Sequence, residues 1–247
     1  MYKGHTISVI LPCYNEEKGV ALTLQDMPAF IDEVLVVDNN SSDRTAEVAR
    51  GLGARVVHES VQGYGAAYKC GFRNATGDII VTMDGDGTYP RNFIPVLLDV
   101  LIEEDLDFIT CDRTGHKSAG AGTRLRVFGN WVLSVVQTIL YGQFVSDSQS
   151  GMWVFRRSIL PLLELTSDGM PLSEEIKIEA FDHPQITARE LPIYYRARVG
   201  ESKLNLWGDG MRNLWFLFYK RWTMFGFVRR RRGFCPVVPA SDESAGA

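Results

Sequence analysis

Two aspartates one residue apart close a run of apolar β-formers in "VTMDGDGTYP", residues 81–90. Carboxylates as close as Asp84 and Asp86 raise each other's proton affinity unless a cation lies between them. Three readings fit the pair: a calcium loop, a solvated turn, or a site for a divalent metal with something phosphorylated. An EF-hand loop opening at Asp84 needs glycine at its sixth position and glutamate at its twelfth. Those positions hold Tyr89 and Pro95, so that reading fails. An Asp/Gly turn is the plain alternative for an isolated D-G-D. Mg2+ or Mn2+ uses few carboxylates and completes its shell with water and phosphate oxygens. Such a cation neutralises a diphosphate and eases its departure as a leaving group.

The surrounding elements favour the metal reading. Strands are expected at 6–15, 33–40, 54–59, 78–84 and 106–113, alternating with helices at 16–30, 41–53, 63–77 and 90–105. Strands that are apolar throughout and alternate with helices imply a parallel sheet covered on both faces. In such sheets ligands bind beyond the carboxyl ends of the strands. The polar residues gather there: Tyr14, Asn15 and Glu16 after the first strand, Asp38 to Asn40 after the second, Asp84 to Asp86 after the fourth. The second half is less regular, with helices expected at 123–142 and 173–181, a strand at 150–157, and a strand entering a basic loop over 186–203. Residues 1–234 read as one α/β domain, whose aromatic and basic segment 206–234 is a candidate membrane-facing element. Residues 235–247 read as a flexible tail.

Composition narrows the class. The 247 residues are 45% hydrophobic and 23% charged with a net charge of −4, which gives no reason to expect nucleic acid as a partner. Cys13, Cys70, Cys111 and Cys235 form no Cys-x-x-Cys pair and suit free thiols in a reducing compartment. The N-terminus passes directly into a strand without a secretory pattern. No stretch reaches the about 18 to 20 apolar residues of a spanning helix. The expected location is the cytoplasm, peripheral to the membrane face.

The segments "LPCYNEE", "VVDNNSSDRT", "GYGAAYKCGF", "MDGDGTYP", "DSQSG" and "VGESKLN" resemble, in order and spacing, the family 2 glycosyltransferases. Within these the chain is most similar to the dolichyl- or polyprenyl-phosphate hexose synthases, the branch of dolichol-phosphate mannose synthase. The resemblance implies a GT-A (Rossmann-like) fold, a UDP- or GDP-sugar donor, Mg2+ or Mn2+, and inversion at the anomeric carbon. It assigns Pro12, Tyr14, Asn15 and Glu16 to the donor, with Val37, Asp38 and Asn39 beside its base or ribose. It assigns Asp84, Gly85 and Asp86 to donor and metal, and Arg113 to donor or acceptor phosphates. The family commonly has an aspartate where this chain has Asn39, and often a glutamine where it has Thr88. The branch often reads S-G-F-R where Met152 and Trp153 follow Gly151 here. In the basic loop Ala197 takes the place of an arginine, flanked by Arg196 and Arg198, while Lys203 matches directly.

A phosphate monoester acceptor is largely ionised near neutral pH, with a second pKa of about 6. Its enzyme must chiefly collect and aim negative charge, as an arginine fork does. Arg113, Arg126, Arg196, Arg198 and Lys203 are the expected set, with Asp147 as base or positioning group. Asp86 joins it in the catalytic set. A soluble saccharide hydroxyl would instead need a general base, for which Glu174 or Glu175 is the candidate. A nucleotidyltransferase is a further alternative, although "LPCYNEE" lacks that class's glycine-rich loop. A non-catalytic sugar sensor would be expected to have lost its metal ligands, and both aspartates are present. The acceptor's lipid tail calls for a membrane surface, which "LWFLFYKRW" and Arg229 to Arg232 suit.

Overall fold

The computed structural model describes residues 1–117, 124–196 and 206–225. Its elements are β1 (Ile7–Cys13), α1 (Glu17–Gln25), β2 (Glu33–Asp38), α2 (Thr45–Gly51), β3 (Arg55–His58), α3 (Tyr64–Asn74), β4 (Ile79–Thr82), α4 (Ile94–Glu103), β5 (Phe108–Lys117), α5 (Arg124–Tyr141), β6 (Trp153–Arg156), α6 (Leu172–Asp182), β7 (Ala188–Tyr195) and α7 (Leu206–Phe225). The seven strands form one sheet in the order β3-β2-β1-β4-β6-β5-β7. β1 pairs in parallel with β2 and β4, β2 with β3, and β5 with β7. β6 alone runs against its neighbours β4 and β5. The expected α/β single domain with a mostly parallel sheet is therefore present.

Strand alternation builds two apolar layers. Ile7, Val9 and Leu11 of β1 join Val36, Val81 and Ile109 on one face, under Val20 of α1 and Leu97, Leu98 and Leu101 of α4. Ile10, Leu35, Val37, Ile80 and Phe155 face the other way, against Tyr68 and Phe72 of α3 and Ile176 of α6. Burial on both faces is why these strands read as continuous apolar runs. A smaller cluster of Leu133, Ile178 and Leu217 joins α5, α6 and α7 beside the sheet.

Helix lengths depart from the sequence expectation. The first ends at Gln25, short of residue 30, and the second spans only Thr45–Gly51. Asp43 accepts from Thr45 N–H at 2.9 Å at the start of α2 and from Glu17 N–H at 3.2 Å at the start of α1, while Ser41 accepts from Asn15 N–H at 3.0 Å. β5 continues to Lys117, four residues past its expected end, because it pairs with β7 beyond a register shift between Asp112 and His116. Such an irregularity re-aims the side chains that follow it, and Arg113 is the first of them.

Gly71 sits where α3 crosses β1, and a Cβ there would lie 2.5 Å from Cγ2 of the fully buried Ile10. Gly71→Ala should therefore destabilise the protein by about 1–2 kcal/mol in urea unfolding, against the helix propensity that favours alanine by about 1 kcal/mol.

Candidate active site

β1, β2 and β4 end at one edge of the sheet, and the loops beyond them are fastened to each other by side chains. Asn15, at φ +53, accepts through Oδ1 from the backbone N–H groups of Ser42 at 2.7 Å and Asp43 at 3.3 Å. Its own N–H donates to Ser41 Oγ at 3.0 Å, and that of Glu16 donates to Thr45 Oγ1 at 2.8 Å. Asn39 is buried and joins the loops after β2 and β3: its Nδ2 donates to the carbonyls of Glu59 at 3.0 Å and Val61 at 2.8 Å. Its Oδ1 accepts from Gly63 N–H at 2.8 Å. An aspartate has no donors for those two carbonyls, which accounts for the amide at this position. Asp38 accepts from Ser41 N–H at 3.3 Å and lies 3.3 Å from His58 Nδ1. Tyr14 is exposed, Pro12 half-buried, and Val37 wholly buried in the core, where it offers no surface to a ligand.

Asp84 and Asp86 follow β4. Gly85 between them lies so close to Cys13 Sγ, and Gly19 of α1 so close to the Gly85 carbonyl, that a Cβ at either would collide. Asp86 is buried, and its Oδ1 accepts from the N–H of Thr88 at 3.1 Å and from its Oγ1 at 2.6 Å. Thr88 thus immobilises the carboxylate from its place two residues on. Burial raises the Cys13 thiol well above its ordinary value, and Glu16, Asp38, Asp86 and Asp84 raise it further. Four carboxylates therefore act on the point where β1 ends. Among the described residues no group of three His, Cys, Asp or Glu side chains forms a closed metal cage. The buried, immobilised Asp86 and the half-buried Asp84 two residues before it fit a hard divalent cation that draws its other ligands from phosphate and water.

The second half of the site is a buried ion pair. Arg113 donates through Nε to Asp147 Oδ2 at 2.6 Å and through Nη2 to Oδ1 at 2.8 Å, and its N–H reaches Oδ2 at 3.0 Å. Burial alone would push the Asp147 carboxyl up, but the Arg113 guanidinium holds it well below the usual carboxylate range. The guanidinium, disfavoured by burial, is held charged by the same carboxylate. Its Cζ stands 5.2 Å from the Tyr195 ring centre, and that ring meets Tyr89 edge-on at 5.4 Å. Burial raises the Tyr64 and Tyr89 hydroxyls well above their ordinary range, and both feel Asp84 and Arg113. Arginine and aspartate thus share a tyrosine-lined wall. Gly151 is set into that wall: its N–H donates to Tyr89 OH at 2.8 Å, its carbonyl accepts from Thr82 Oγ1 at 2.9 Å, and a Cβ would run into Tyr64 OH.

The family model for glycosyl transferase family 2 matches residues 8–162. The chain belongs to that family. It is 36% identical over 212 residues to a dolichyl-phosphate hexose transferase of Haloferax volcanii, covering 85% of this chain and 91% of that protein. It is 34% identical to a low-salt glycan biosynthesis hexosyltransferase of the same organism, over 86% of this chain and 53% of the relative. Glucosyl-3-phosphoglycerate synthase of Mycobacterium tuberculosis, solved with Mn2+, UDP and glucosyl-3-phosphoglycerate, shares the fold. It superposes with a TM-score of 0.70 at 24% identity over 88% of this chain and 80% of its own.

In this family 2 glycosyltransferase the fold brings Asp84, Asp86, Arg113 and Asp147 to one edge. Arg196 is exposed at the end of β7, where its N–H donates to the Thr88 carbonyl at 3.0 Å. Arg126 falls within α5, but its side chain, like Arg198 and Lys203, lies outside the described residues. Glu175 is fully buried and accepts from Thr166 N–H at 2.9 Å, Ser167 N–H at 2.8 Å and Lys220 Nζ at 3.0 Å. Glu174, also buried, accepts from Gln149 Nε2 at 2.6 Å, and burial pushes its carboxyl well above the usual range. Trp153 is packed against Tyr68 at 5.0 Å, so that position is core. Sequence reasoning did not single out Tyr64, Tyr89, Tyr195, Lys177 or Glu190. Lys177 stands three residues after Glu174 on the same helix face, a spacing that does not point to the Asp147 segment it holds.

Asp147→Asn leaves Arg113 buried without its counter-charge and should cost about 3–5 kcal/mol at neutral pH. A depressed carboxylate pKa contributes stability that is present above the unfolded value and lost as pH falls through the folded one. The gap between wild type and variant in urea midpoint should therefore narrow on acidification below about pH 4.

Proposed function

We propose that this glycosyltransferase transfers a hexose, with inversion, from a UDP- or GDP-sugar to dolichyl or polyprenyl phosphate. The observation that carries the reading is the Arg113–Asp147 pair beside Asp84 and Asp86. A phosphate monoester acceptor needs charge to aim it rather than a base to deprotonate it. The carboxylates considered for the saccharide alternative are both fully buried: Glu175 is bonded to backbone N–H groups and Lys220, and Glu174 accepts from Gln149 through one oxygen. Asp147 is held ionised by Arg113, which suits positioning rather than proton abstraction. The hexose transferase relative, named for dolichyl phosphate, supports the same acceptor class.

In this mechanism the strand-end loops fixed by Asn15 and Asn39 hold the nucleotide, and Asp84 and Asp86 would hold a divalent cation. When bound, that cation would supply charge neutralisation for the departing nucleoside diphosphate. Arg113 receives phosphate charge and keeps the acceptor oxygen opposite the leaving group, with Arg196 adding a cation at the end of β7 beside Thr88; the resemblance assigns Arg126, Arg198 and Lys203 to the same phosphate.

A membrane surface suits a lipid-linked acceptor. Among the described residues no helix is long and apolar enough to cross a bilayer. Trp207, Met211, Trp215, Phe218 and Trp222 instead form an exposed stripe along α7, with Trp131 and Phe128 exposed on the neighbouring α5. Tryptophan-rich faces of this kind lie in the interfacial plane, and Arg229 to Arg232, which follow α7 in the sequence, supply charge that suits anionic headgroups.

The deciding experiment is transfer of radiolabelled sugar to farnesyl phosphate from UDP-glucose, UDP-N-acetylglucosamine or GDP-mannose, with Mn2+ or Mg2+. A metal-dependent glycolipid made from one donor is expected, and Asp86→Ala should lower its rate at least about a hundredfold. Donor binding without glycolipid would point to a soluble acceptor, and no donor binding would overturn the reading. Sedimentation with anionic vesicles checks the surface: Trp215→Ser with Trp222→Ser should weaken binding about tenfold.

A further inference from the structure

The segment that carries Asp147 is irregular backbone, yet none of its polar groups is left to chance. Ser146, Asp147 and Ser148 present three N–H groups and three carbonyls, and side chains from three elements take all six. Glu190 of β7 accepts from Ser146 N–H at 2.7 Å through Oε2 and from Asp147 N–H at 3.1 Å through Oε1. Lys177 of α6 donates through Nζ to the Asp147 and Ser148 carbonyls, each at 2.7 Å. Ser134 of α5 donates to the Ser146 carbonyl at 3.1 Å and accepts from Ser148 N–H at 3.0 Å. The segment is gripped by an anion at its N–H groups and by a cation at its carbonyls.

We infer that Lys177 and Glu190 are positioning residues for the phosphate-binding arginine: they set the Asp147 carboxylate, and through it the direction of the Arg113 guanidinium. This rests on the reading of Arg113 as the residue that meets the acceptor phosphate. Lys177 is fully buried and Glu190 half-buried, and each spends its charge on this backbone. A buried ionic arrangement is a poor source of stability, because apolar side chains of similar volume do as well or better. Its gain is directional: two bonds from each side chain fix both the position and the rotation of one short segment. Arg113 needs that rigidity, since both its carboxylate bonds come from Asp147 and a forked contact tolerates little rotation. Burial pulls the Lys177 ammonium down to about 8, and Asp147 opposes that fall, so the cation is retained near neutral pH.

The test uses the full chain with farnesyl phosphate as acceptor and the sugar nucleotide that supports transfer. Lys177→Met, Glu190→Gln and Arg113→Lys are compared, singly and with each of the first two combined with the third. Lys177→Met and Glu190→Gln should each raise KM for farnesyl phosphate roughly tenfold while leaving KM for the donor within about twofold. In the Arg113→Lys background, where the fork is already lost, each should add less than about twofold. Glu190→Gln keeps the shape of a half-buried residue, so it carries the test if Lys177→Met does not fold. Equal losses toward donor and acceptor, or full additivity with Arg113→Lys, would overturn the inference as a general loosening of the fold. If Arg113→Lys itself leaves KM for farnesyl phosphate unchanged while transfer persists, the assignment of Arg113 fails, and the inference with it. If Arg113→Lys raises that KM and neither other variant does, Arg113 stands and the positioning role alone is overturned.

Discussion

A guanidinium buried at a sheet edge without a partner costs several kcal/mol, and the second half of this chain is organised around preventing that. Arg113 is kept by Asp147, and Asp147 has no regular secondary structure to place it. The chain therefore constructs a holder. The irregularity in β5 turns Arg113 toward the edge, and α5, α6 and β7 each contribute a side chain to the segment bearing the carboxylate. Removing any one element would leave either an unpaired charge or unpaired backbone groups in a dry environment. The ion pair thus determines how the second half of the chain packs against the first.

The two halves of the site are built by different means. At one end parallel strands finish together, and amide side chains join neighbouring loops through neutral hydrogen bonds: Asn15 to the loop after β2, Asn39 to the loop after β3. Neutral struts leave the field of Asp38, Asp84 and Asp86 undiminished at that edge. Around Asp147 two of the three holding groups, Lys177 and Glu190, are themselves charged. Thr88 joins the halves, since its hydroxyl steadies Asp86 while its carbonyl accepts from Arg196 at the end of β7.

α7 connects this interior to the surface. Its inner face combines the buried Leu217 and Phe216 with two polar groups: Asn213 donates to Gln149 in the segment after Asp147, and Lys220 reaches Glu175 and Glu179 of α6. Its outer stripe is tryptophan and phenylalanine. An outward face of large aromatic side chains departs from the usual polar exterior of a soluble surface helix, and it lies on the side of α7 away from the segment that follows Asp147.

The sequence by itself determined the class of sheet and the edge at which the polar strand-end residues gather. These follow from local rules: strands apolar on both faces demand covering helices, and polar residues at strand ends have one place to go. It also identified Arg113 and Asp147, though not that they bind each other. Only the tertiary structure decided that, because "DSQSG" precedes its strand and reaches the common edge solely because β6 runs backward. The same holds for Glu174 and Glu175, which read as candidate bases in a polar run and are buried struts once α5 and α7 pack over α6. Val37 looked like part of a nucleotide site and is core, since alternation along β2 turns it under α3. Lys177 and Glu190 carry no motif. Their role comes from contacts between residues about 30 and 43 positions from Asp147 in the chain, which periodicity along a sequence does not encode.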